Sequence, residues 1–127
     1  MTRLVAAVLA LFLGVNGLVQ NLAPLWWYDA VPGVPSTGAF NAHFVRDIGA
    51  AYLVVSLGLA WFAWRPPQGW PALVAGAAFL VLHTGIHLFD ASCGSSPLAD
   101  LIRDLPGVYT PTLIAVWIAC THRPKET

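Results

Sequence analysis

WPALVAGAAFLVLHTGIHLFD, residues 70–90, is the stretch that decides how this chain folds. From Trp70 to Leu82 it carries no ionisable group, and it is long enough for the roughly twenty residues a helix needs to cross a bilayer. Its far end turns polar, with His83, His87 and Asp90. At about 100° per residue, His87 falls about 40° from His83, and Asp90 about 20° to the other side. The three groups therefore share one helical face. Ionisable side chains are costly in hydrocarbon, so each needs a partner, water or a ligand. The stretch predicts a membrane helix with a polar site at one end.

The composition agrees with this. Of 127 residues, 57% are apolar and only 9% charged, against the quarter or so usual for soluble domains. Six basic and six acidic residues cannot cover a water-facing surface. No basic patch exists to neutralise phosphates, which excludes nucleic acid as a partner. The two cysteines, Cys93 and Cys120, lie at opposite ends of predicted spans and cannot pair with each other.

Working outward, four apolar segments emerge, at about 4–22, 44–64, 70–90 and 105–121 of a single domain, 1–127. The fourth is the shortest and carries Pro106 and Pro111 in its first turns, where proline is tolerated. The first segment has a signal peptide's hydrophobicity. Its apolar run is long and no A-x-A-like site follows, so it is expected to stay as a helix. Asn41 is placed to cap the second helix, and Ser96-Pro97 to open a short amphipathic piece, PLADLIRDL.

Arg3, Arg65, Arg123 and Lys125 mark one side, while Asp29, Asp100 and Asp104 mark the other. The positive-inside rule then predicts cytoplasmic N- and C-termini, with both longer connections facing outward. Trp61, Trp64, Trp70 and Trp117 would form the inner aromatic belt, and Trp26, Trp27 and Tyr28 the outer one.

VRDIGAAY (45–52) and IRDLPGVY (102–109) share the pattern [VI]-R-D-[IL]-x-x-x-Y. A weaker echo sets Asn16 against His83 and Gln20 against His87. Together they suggest two tandem helical hairpins related by an axis along the membrane normal. Chance alignment of short apolar segments is the competing explanation.

Polar groups collect at the outer half of this arrangement: Asn16 and Gln20, then His43, Arg46 and Asp47, then His83, His87 and Asp90, then Arg103 and Asp104. One reading is adhesion between helices, with the arginines paired to Asp47, Asp90 and Asp104. A second is a metal or haem site using His43, His83, His87 and Asp90, since H-x-x-x-H on one helix plus a donor from another makes an N/O ligand set. A third is a proton-linked pocket for a quinone or lipid, with Tyr52, Tyr109 or Trp27 near the ring.

Four short helices, an arginine entering the second with small residues behind it (RDIGAAYLVVSLG) and a tryptophan-rich outer loop resemble the small bacterial inner-membrane proteins grouped as DoxX-like. The resemblance implies a four-helix membrane architecture, and some such proteins are linked to thiosulfate–quinone oxidoreduction or redox stress. No motif of that group matches HTGIHLFD, so it implies no site residue.

The sequence thus predicts an all-α, four-transmembrane-helix bundle in a bacterial inner membrane. It would carry a His/Asp pocket at the outer face for a metal, haem or quinone-type ligand. The alternative is a non-catalytic accessory or scaffolding subunit. Gly and Ala faces allow a homo-oligomer or a partner membrane protein besides the lipid bilayer.

Overall fold

A computed structural model describes residues 1–123. Among these residues the chain is helical and contains no strand. Six α-helices follow one another: α1 (Thr2–Leu22), α2 (Pro24–Ala30), α3 (Ala42–Trp64), α4 (Pro66–Cys93), α5 (Pro97–Asp104) and α6 (Thr110–Thr121). A 3-10 turn, Val34–Thr37, sits between α2 and α3, and a π-helical turn, Leu105–Tyr109, joins α5 to α6. By length and composition, α1, α3 and α4 can cross a membrane, at 21, 23 and 28 residues. α6 has only 12 residues. The expectations on Pro124–Thr127, Lys125 included, fall outside the described residues.

Two boundaries differ from the sequence reading for backbone reasons. The RPPQG turn shrinks to one residue, Arg65, because Pro66 and Pro67 start α4 where no N–H is required. Gly69 then lets the first turn of α4 lie on the backbone of Trp61 and Phe62. The fourth apolar segment is not free-standing either. α5 runs through the π turn into α6, and Pro106, lacking an N–H, sits inside that widened turn.

α1 packs on α3, α3 on α4, and α4 on α6, while α6 touches α1 more lightly. Leu13, Leu59, Phe62, Leu73, Leu80 and Ile118, drawn from all four helices, are almost wholly buried. The outside is equally apolar. Leu4, Leu11, Val54, Leu57, Leu82 and Leu113 are each at least 68% exposed. A surface of this kind suits lipid rather than water.

α1 and α3 cap one another. Arg3 donates to the Ala63 and Trp64 carbonyls (2.7 and 3.0 Å), which end α3. Arg46 donates from Nε to the Asn21 carbonyl (3.2 Å), near the end of α1. Terminal carbonyls have no partner within their own helix, so each arginine satisfies a group that lipid cannot. Between these ends, Gly17 and Gly49 bring the two backbones together, and Ser56 donates to the Ala10 carbonyl (2.7 Å). Asn41 caps α3 as predicted, its side chain accepting from the His43 and Phe44 amides (3.0 and 3.4 Å). Ser96 occupies the N-cap of α5 but makes no side-chain capping bond.

Candidate functional site: a histidine–aspartate train

The face of α4 that the sequence singles out holds two imidazoles that meet edge to face. His83 and His87 have ring centroids 4.8 Å apart. His83 also lies parallel to the Phe79 ring, 5.8 Å away with 15° between planes, and meets the edge of Tyr52 from α3 at 5.8 Å. Phe79 stands one turn before His83 on the same face, which is the signal that could have found it.

The carboxylate that completes the train comes from α5. Residues 94–96 reverse the chain after α4, and α5 returns to place Asp104 Oδ2 2.7 Å from His87 Nδ1. Asp104 is 8% exposed. Arg103 donates from Nε to Asp104 Oδ1 (2.8 Å), and from Nη1 to Asp100 Oδ1 (2.6 Å). The first loop closes over this pair, with Gly33 so near the Arg103 guanidinium that it has no room for a Cβ. Gly33 also has φ +88, a conformation that glycine adopts without strain.

Burial drives the Asp104 carboxyl up. Hydrogen bonds from Arg103 and His87, with the charges beside them, outweigh that effect and hold it below the usual carboxylate range. The same bond to Asp104 raises Arg103. An ionised Asp104 accepts, so His87 donates from Nδ1, and in the neutral ring Nε2 keeps the lone pair.

A depressed native value means that Asp104 stabilises the fold fully above its ordinary value, and that this contribution is lost as pH falls through the lowered one. Melting in detergent should therefore show an acid-labile component that appears only below about pH 4. Asp104→Asn should lack that component, and equal acid loss in the two proteins would contradict the assignment.

The structure brings His83, His87, Arg103 and Asp104 together and leaves the other predicted residues elsewhere. Asn16 accepts from Trp27 Nε1 (2.8 Å), tying α2 to α1. Gln20 is fully buried in α1, and neither amide atom has a partner. Arg46 serves as the α1 cap. His43 and Asp47 pair with each other at 3.4 Å on the surface, their side chains 81% and 58% exposed. Asp90 is exposed on α4, and the carboxylate at His87 is Asp104 instead. Among the described residues, no three His, Cys, Asp or Glu side chains gather as a metal site. The set His43, His83, His87 and Asp90 is not assembled, because His43 is exposed at the start of α3 beside Asp47, and Asp90 is exposed on α4.

Two apolar grooves run outside the helices. One lies between α1 and α3, past Ala10, Gly14 and Ser56. The other lies between α3 and α4, past Gly58 and Gly76 to Phe79, the ring stacked on His83. No family model, curated protein or solved structure matches the chain.

Proposed function

We propose that this is a small bacterial inner-membrane protein, crossing the bilayer four times with cytoplasmic termini. Its His87–Asp104 pair would bind a lipophilic, quinone-type ligand from the outer side. The resemblance to DoxX-like proteins and the paired-hairpin arrangement belong to the same proposal. One observation carries it: His87 is fixed by a buried carboxylate at 2.7 Å and meets the His83 ring edge to face at 4.8 Å, so that in the neutral ring Nε2 is the nitrogen that accepts. An imidazole held this way exchanges a proton with a hydroxyl, which is what the reduced, hydroquinone form offers. The groove ending at Phe79 supports the reading, since it leads along α3 and α4 toward the His83 ring and suits an apolar tail. A metal reading has less support, since among the described residues no three His, Cys, Asp or Glu side chains are placed to hold an ion together. The structural alternative draws on the closed Asp100–Arg103–Asp104 network, which can hold α5 in place without any ligand.

Titration of the purified protein in nanodiscs with a short-chain benzoquinol, followed by tryptophan fluorescence, tests this. Saturable binding should be found, tighter for the reduced than for the oxidised form. His87→Ala should weaken it at least tenfold. Absence of saturable binding, with His87→Ala merely melting earlier, would leave the scaffolding role. A stoichiometric metal or a Soret band lost in that variant would point to metal or haem instead.

A further inference from the structure

The groove between α1 and α3 has no part in the His87 site, and one of its ends is charged. It passes Leu18, Gly14 and Ala7 on α1, and Ala60 and Trp64 on α3. Ser56, the one hydroxyl in its wall, already donates to the Ala10 carbonyl, so the furrow is dry. From Leu18 to Ala7 it runs about 16 Å at about 1.5 Å per residue, close to one leaflet's share of a hydrocarbon core about 30 Å thick. Its volume of about 470 Å³ falls in the range of ligand pockets. Spread over that length, the space is too narrow for a helix about 10 Å across, and it suits one flexible hydrocarbon chain.

Two guanidiniums stand at the Trp64 end. Arg3, one turn before Ala7 on α1, uses Nε and Nη2 on the Ala63 and Trp64 carbonyls, which holds its fork at the mouth of the groove and leaves Nη1. Arg65 lies over the Trp64 ring, its Cζ 4.2 Å from the centroid. That cation–π contact folds it back onto the groove's last residue instead of out into water. Both arginines are exposed, and among the described residues neither pairs with a carboxylate. Asp29, Asp47, Asp90, Asp100 and Asp104 all lie at the opposite helix ends. An anion at the Arg3 end therefore meets two positive charges, with no described carboxylate beside them.

The geometry points to an anionic phospholipid as the occupant, with an acyl chain lying in the groove and the phosphate held by Arg3 and Arg65. Each half of the site calls for the other. A hydrocarbon chain alone would need no charge at its end, and a free phosphate would make no use of an apolar furrow. Guanidinium forks match phosphate oxygens, which accept from planar N–H donors in pairs. The lipid comes from the leaflet at the Arg3 end, a helix length away from His87. The inference needs the chain to span a bilayer and is independent of the quinone reading.

Delipidated full-length protein in detergent, titrated with dioleoyl phosphatidylglycerol or dioleoyl phosphatidylcholine and followed by native mass spectrometry, tests it. One phosphatidylglycerol per chain should be retained, about fivefold or more tighter than phosphatidylcholine, the size of one cationic contact at an anionic membrane surface. Arg65→Gln, at an exposed corner, should remove most of that preference. Ala60→Leu, which fills the groove from its exposed side, should weaken both lipids severalfold. Equal wild-type affinity for the two lipids, or an unchanged preference in Arg65→Gln, would overturn the inference. If Arg65→Gln fails to fold, Ala60→Leu decides, and wild-type affinity for phosphatidylglycerol in that variant is the overturning result. Glycerophosphoglycerol binding as tightly as the whole lipid would mean a phosphate site without a chain. A dimer lost in Ala60→Leu would mean a second copy in the groove. Either outcome overturns the lipid assignment as well.

Discussion

Asp104→Ala is expected to destabilise the protein by about 3 kcal/mol, the upper range for losing hydrogen bonds to a buried charge. The substitution removes the acceptor shared by His87 and Arg103 and frees α5 from α4. The loss is held at that level because Arg103 is one-third exposed and keeps Asp100. Denaturation in detergent would measure it, and a cost under about 1 kcal/mol would mean the pair is only a surface contact. Asp104→Asn should behave differently. Its oxygen still accepts from Arg103, but its amide now donates to His87 Nδ1, which moves the imidazole proton to Nε2. The ring then offers a donor where it had a lone pair. Preference should shift from the reduced to the oxidised benzoquinone by several-fold, the size of one exchanged hydrogen bond. An unchanged preference would show that His87 does not face the ligand.

Gly69→Ala is expected to cost about 3 kcal/mol or more, although it adds one methyl. A Cβ there would lie 2.7 Å from the Trp61 carbonyl carbon and closer still to the Phe62 backbone. Neither can yield, because α3 and α4 are joined by a single residue, and such overpacking reaches the top of its usual range when backbone is what obstructs. Gly85→Ala is the control. Nothing lies within 4 Å of its Cβ position, so the change should stabilise α4 by about 0.5–1 kcal/mol. Similar melting temperatures for the two variants would refute the close approach at the corner.

The helical class and the three long spans were legible because hydrophobic runs of that length have few other uses. The adjacency of His83 and His87 was legible too, being a matter of helical period alone. What could not be read is which carboxylate answers them. Asp90 shares their face by arithmetic, yet the partner is Asp104, delivered by a reversal at residues 94–96 and by the length of α5. Arg46 and Arg103 sit in matching RD motifs and do different things, one closing the end of α1 and the other holding Asp104. The motif gave no warning, because an arginine's role depends on which acceptor the neighbouring helix presents. Gln20 is the converse case. Its polarity inside an apolar run marked it, but only the packing against Gly49 shows how completely it is enclosed.

The two arginines that close each other's helices also act as a caliper. Along α1 the jaws stand eighteen residues apart, Arg3 to Asn21, and along α3 seventeen, Arg46 to Ala63. At about 1.5 Å per residue both openings come to about 26 Å, close to the thickness of a bilayer's hydrocarbon slab. Inserting or deleting one residue between the jaws of either helix would turn a guanidinium about 100° away from its carbonyl, so this pair has a fixed gauge.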